Sequence, residues 1–265
     1  MNYLTKFTPA ETLIFLEMDK VLFRELLKAT FLDLLLKKVL MTKRKSYKPS
    51  ANDPYVTVKH VCAGSNLKLY KTLTHETIFV DAFKRSKNME PLLRHYVTLV
   101  NENAINRKTY LECIKELPNV KPYLMQSFWQ KLFGGFGLTK EGESIAKGID
   151  FELGELDILL PELIKNNKRE ALTLIKKVNG NIFFLNNLDL KQLHLLDIKE
   201  LGKPEDEVYF EEIPDGCSAG TQWDSFEGHS HSFDSSCGTS NGSDNSGCGS
   251  SGCSGCGGSG CGGGD

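Results

Sequence analysis

The first 215 residues contain only two cysteines, Cys62 and Cys113, which excludes a disulfide scaffold for that part of the chain. No apolar run reaches the roughly 18 residues of a membrane-spanning helix. The richest stretch, Leu22 to Met41, is interrupted by Arg24, Glu25, Lys28, Asp33, Lys37 and Lys38. A signal-peptide layout is missing too, because Glu11, Glu17 and Asp19 stand where an uncharged segment belongs. There is no phosphate loop, dinucleotide fingerprint, HExxH helix, nucleophile elbow or EF-hand loop. The expectation is a cytoplasmic protein that is not an enzyme and whose thiols stay reduced.

What is present is distributed unevenly. Residues 216–265 hold 15 Gly, 13 Ser and 6 Cys, with five acids and no Lys or Arg. The body, residues 1–215, carries 32 basic against 29 acidic side chains. Such a tail buries too little apolar surface to offset its chain entropy, so the composition predicts disorder there. Its cysteines are spaced Cys248-x4-Cys253-x2-Cys256-x4-Cys261. Thiolates at this spacing suit zinc or another soft metal, with His229 and His231 as further donors. Two other readings stay open: a free flexible tail, and heterocycles formed when Cys or Ser closes onto the carbonyl of a preceding Gly. The second resembles the core of thiazole- and oxazole-containing microcin precursors.

In the body, Thr8-Pro9-Ala10-Glu11 is a helix start of the capping-box type with Pro in the first turn. A second helix is expected over 21–39, with a break near Ala29-Thr30. Its apolar face is Leu22, Phe23, Leu26, Leu27, Phe31, Leu34, Leu35 and Val39. Residues 40–47 and 55–61 read as strands joined by the turn residues of 48–54. Further helices are expected over 75–85, 89–102, 107–117, 121–133, 140–148, 153–166 and 168–178. Asn181 to Leu185 reads as a short strand, and the Leu-rich stretch 188–201 is ambiguous. The fold class is therefore mainly α with a small β-hairpin: a winged-helix-like N-terminal module, a helical second part and a disordered C-terminal tail. The corresponding units are 1–72, 73–212 and 213–265.

Chemistry in the body is sparse. His60, His75, His95 and His194 are scattered, and Cys62 and Cys113 have no catalytic context. The Gly134–Gly137 cluster reads as a turn. The candidate anion-binding residues are Lys37, Lys38, Lys43, Arg44, Lys45 and Lys48, which share a window without an acid. Such a run suits phosphates, an anionic membrane surface or a solvated edge strand. The small positive charge of the body argues against nucleic acid.

The stretch Phe7 to Glu11, with Leu26-Leu27-Lys28-Ala29-Thr30-Phe31-Leu32-Asp33-Leu34 and Lys38-Val39-Leu40, resembles the cytoplasmic winged-helix-like region of an uncharacterised family of bacterial membrane proteins. Leu138-Thr139-Lys140-Glu141-Gly142 looks like their recurring Leu-Thr-x-x-Gly element, and many of them end in Gly/Cys-rich tails. That resemblance implies a fold rather than an activity. Glu11-Thr12-Leu13-Ile14-Phe15-Leu16 to Leu40 also looks like the helical Golgi phosphoprotein family, whose eukaryotic members bind phosphoinositides. The leading functional expectation is an interaction or regulatory protein with a protein partner, whose thiol-rich tail binds metal. The alternatives are a peripheral protein of anionic lipid surfaces and a precursor with a modified tail.

Overall fold

A computed structural model describes residues 1–50, 52–86, 88–104, 107–125 and 135–188. Helix α1, Pro9–Glu17, starts as its sequence demands. Thr8 Oγ1 accepts from the Glu11 amide, and the Glu11 carboxylate accepts from the Thr8 amide at 2.7 Å, so two of the helix's orphan donors are satisfied reciprocally. Every residue from Pro9 to Phe15 is buried, which makes α1 a central helix rather than an amphipathic one on the surface. Beside it runs α2, Phe23–Leu36, buried from Leu26 to Leu36 apart from Lys28.

The expected break at Ala29-Thr30 is absent. Thr30 Oγ1 donates back to the Leu26 carbonyl at 2.8 Å and meets the Tyr110 hydroxyl at 3.0 Å. The hydroxyl is thus satisfied inside a helix that the side chain would otherwise disfavour.

The hairpin follows. Strands β1, Leu40–Tyr47, and β2, Val56–Ala63, pair antiparallel from Leu40↔Ala63 to Tyr47↔Val56. Its root is in the core, with Leu40 and Val61 at 0% exposure, whereas residues 44–57 that are described stand almost entirely exposed. Helices α3, Thr77–Arg85, and α4, Leu93–Asn103, pack on β2 and on each other, and α5, Arg107–Lys115, packs on α1 and the Thr74–Glu76 turn. A two-residue pair, β3 (Leu124–Met125) with β4 (Gly137–Leu138), precedes α6, Lys140–Asn166, and α7, Lys168–Val178. A 3-10 segment, Asn179–Phe184, closes the described fold against α1 and α2. One hydrophobic core joins residues from Leu4 to Leu188. The protein is therefore mainly helical with one antiparallel hairpin.

Three expected elements differ. The two helices 140–148 and 153–166 form one, because Ile149 and Glu152 of the intervening turn are buried while Asp150 and Phe151 face out. Glu152 is 8% exposed and accepts from the amides of Asn2, Tyr3 and Leu4. Gly148 makes room for the Tyr3 ring, which a Cβ would approach to 2.2 Å. The strand expected over 181–185 is 3-10 helix. This tight turn aims Asn181 Nδ2 at the Leu4 and Phe7 carbonyls, both 2.9 Å, and the Gly180 amide at Asp33. Of the helix expected over 121–133, Lys121–Tyr123 is a 3-10 turn and Leu124–Met125 a strand. Residues 126–133 lie outside the described residues, as do 189–265 with the stretch 188–201 (after Leu188) and the tail cysteines.

Candidate functional site

The six basic residues of the window 37–48 do not form one patch. Lys37 and Lys38 belong to the end of α2. The Lys38 amide bonds the Leu35 carbonyl, the Val39 amide bonds the Leu34 carbonyl at 2.9 Å, and Lys38 has φ +53°. This is the Schellman ending, whose left-handed position normally belongs to Gly. The Lys37 ammonium turns inward onto Asp33 Oδ2 at 2.6 Å and lies 5.7 Å from the Tyr70 ring centre.

The remaining four ride on the hairpin. Lys43 and Lys45 alternate along β1 and so share one face. Both reach Glu90: Lys43 Nζ to Oε1 at 2.8 Å and Lys45 Nζ to Oε2 at 2.5 Å. Hydrogen bonds from these two ammonium groups hold the Glu90 carboxyl down at about 2. The Glu90 backbone is fixed as well. His60, opposite Lys43 on β2, donates from Nδ1 to the Glu90 carbonyl at 2.7 Å, and the Val61 amide donates to Pro91 at 2.9 Å. Arg44 is exposed, and Lys48 Nζ lies 4.9 Å from the centre of the Tyr55 ring. Around them stand Tyr47, 50% exposed, Tyr55, 70%, and Val56, 39%. The outer hairpin thus combines cations with two aromatic side chains that are half or more exposed.

A second constellation escaped the sequence reading. Glu11, Asp33, His75 and Glu76 are each no more than 2% exposed. Asp33 accepts from Lys37 and from the Gly180 amide at 2.9 Å. Glu76 accepts from the Tyr70 hydroxyl and the Leu73 amide, both at 2.8 Å. Burial pushes the Glu76 and Glu11 carboxyls up, against their hydrogen bonds and the nearby Lys37. Burial pulls the Lys37 ammonium down, but Asp33, Glu76 and Glu11 outweigh it and its affinity for a proton is raised. The Tyr70 hydroxyl is also pushed well up by burial and by Glu76. His75, buried and close to Lys37, is driven down to about 3 and is neutral. Its Nδ1 has no hydrogen-bond partner among the described residues. This cluster ties α1, α2, the 66–76 connection and the 3-10 segment 179–184 together.

Among the described residues no group of three or more His, Cys, Asp or Glu is arranged to hold a metal ion, and no helix is long and apolar enough to cross a membrane. Cys248, Cys253, Cys256 and Cys261 lie outside the described residues. Comparison of the chain with protein-family models, curated proteins and solved structures gives no match. In the sequence Glu11 stands only as a capping-box acid and Asp33 only as a charge interrupting an apolar stretch, so neither marks the cluster. Glu90 gave no sequence signal, standing 47 residues from Lys43.

Proposed function

We propose that the protein is an interaction protein that docks on anionic membrane surfaces from the cytoplasmic side through its β1–β2 hairpin. The observation that carries this is the outer hairpin, where Arg44, Lys45 and Lys48 are exposed beside Tyr47, Tyr55 and Val56. Cations gain about 1 kcal/mol each near an anionic leaflet, and tyrosines suit its interfacial layer. Residues 1–72 read as winged-helix-like on the order helix, helix, hairpin, and the hairpin is then the wing. The spacing of Cys248, Cys253, Cys256 and Cys261 supports a further part of the proposal, a tail whose thiolates take zinc.

The test is vesicle sedimentation. Arg44→Ala/Lys48→Ala removes two exposed charges and no ion pair identified above. Partitioning onto phosphatidylserine-containing vesicles should fall roughly ten- to thirtyfold at low salt, with a shallower salt dependence. Partitioning equal to that of the unaltered protein would overturn the proposal.

A further inference from the structure

Helix α6 is apolar on two sides. One side, with Ile149, Leu156, Leu160 and Ile164 at 0% exposure, faces the core. The other carries Phe151, 65% exposed, Ile158, 68%, and Leu159, 40%. Phe151 and Ile158 are two helical turns apart, so they share a stripe about 10 Å long. Between them lies Gly154, where a Cβ would meet nothing within 4 Å. No described element covers this stripe, and clustered apolar side chains left in water mark a binding surface. The chain itself is delivered to the stripe's edge. After the 3-10 segment, the Asn187 amide donates to Asp157 Oδ1 at 2.7 Å, and Asn187 Nδ2 donates to Asp157 Oδ2 at 3.0 Å. Asp157 precedes Ile158 and stands one turn from Gly154. The next residue, Leu188, is buried in the core.

We propose that residues 189–201 dock on this outer face of α6 within the same chain. The stretch holds six aliphatic side chains, Leu190, Leu193, Leu195, Leu196, Ile198 and Leu201, and it begins two residues beyond the Asp157 anchor. Its thirteen residues reach about 40 Å extended and about 20 Å as a helix. Either length exceeds the stripe, so the face is within reach without any change in the described fold. The bare surface over Gly154 admits a leucine side chain or a close backbone. Tethering so near the face sets a high effective concentration, which favours this segment over a second copy of the chain. The hairpin plays no part in the docking. Its consequence is for the tail: the Gly/Ser/Cys stretch then leaves the body from the outer side of α6, after Gly202-Lys203-Pro204.

Amide hydrogen exchange of the full-length chain tests this. Phe151→Ala/Ile158→Ala is compared with Leu69→Ala, which truncates a 79% exposed leucine on the 66–76 connection. Alanine favours the helix, so α6 keeps its fold in the double variant, and unchanged exchange in α7 is the check. In the unaltered protein the amides of 190–201 should exchange about tenfold or more slower than a free chain, at a rate that dilution does not alter. Phe151→Ala/Ile158→Ala should speed them about tenfold or more, the scale of losing two large apolar contacts. Leu69→Ala should leave them as they were. Free-chain exchange in the unaltered protein, protection that survives Phe151→Ala/Ile158→Ala, or an equal loss in Leu69→Ala would overturn the docking. Protection that falls on dilution in step with a dimer seen by sedimentation velocity would overturn it in favour of a second copy.

Discussion

Two hydrogen bonds fix the Asp33 carboxylate in the interior, one from Lys37 Nζ at 2.6 Å and one from the Gly180 amide at 2.9 Å. Asn in its place keeps one acceptor oxygen and sets an NH2 group against either an ammonium or an amide. Lys37 would then be a nearly buried cation without its closest counterion. Breaking a buried pair this way costs about 3–5 kcal/mol. Asp33→Asn belongs at the lower end, about 3 kcal/mol, because Lys37 keeps 19% of its side chain exposed and still has Glu76 and Glu11 near it. Urea denaturation measures this directly, and a loss below about 1 kcal/mol would show that the pair does not hold α2 to the 3-10 segment. Glu90 is the contrasting case: its lysines are about half in water, so its pairs contribute little to stability.

At the scale of elements, the helix-to-strand junction carries the most constraint. Lys38 adopts φ +53° to end α2, and a non-glycine residue there costs about 1 kcal/mol. Lys38→Gly should therefore raise stability by about 0.5–1 kcal/mol. On the facing strand end, the Gly64 amide bonds the Val39 carbonyl at 2.9 Å. A Cβ on Gly64 would lie 2.0 Å from the Lys38 carbonyl oxygen, and backbone on both sides cannot yield. Gly64→Ala should cost about 3 kcal/mol or more, and near-neutral behaviour of that variant would mean the hairpin root is looser than its geometry implies. Where local chemistry decided an element, the sequence was legible. The Thr8 capping box, both strands of the hairpin and α7, Lys168–Val178, stand where cap, β-branched and periodic residues place them. Where a distant partner decided it, the sequence was not. The helices expected over 140–148 and 153–166 are one because Glu152 is held by the amides of Asn2, Tyr3 and Leu4, and Asn181 reads as strand until Leu4 and Phe7 claim its side chain.

For the whole molecule, the same distinction governs the sites. The basic run was visible because its charges are neighbours in sequence, but its division into an inward Lys37, a helix-ending Lys38 and a Glu90-bound pair depends on tertiary contacts. The buried cluster was hidden because its members come from separated elements, and its consequence is global: the stability of the fold is linked to protons of opposite sense. Neutral His75, whose ordinary value of 6.5 falls to about 3, binds its proton less readily folded than unfolded. Its contribution is present above about pH 6.5 and is lost as pH falls toward about 3. Glu90, lowered to about 2, adds only a small contribution, because its lysines are screened by water, and that contribution is lost as pH falls below about 4.5. Glu11 and Glu76 act the other way. Their folded values are raised above 4.5, so their contribution is present below that value and lost as pH rises through the folded one. Over a series from about pH 5 to about pH 8, Glu76→Gln should therefore gain on the unaltered protein once pH passes the raised folded value of Glu76, whereas His75→Gln should lose most above about pH 6.5. The His75→Gln deficit should shrink on acidification by up to about 1.4 kcal/mol per pH unit. Urea midpoints across that range separate the two slopes. Parallel curves for all three proteins would mean that Glu76 and His75 exchange no protons with folding, and that the interior around Lys37 is better hydrated than its burial indicates.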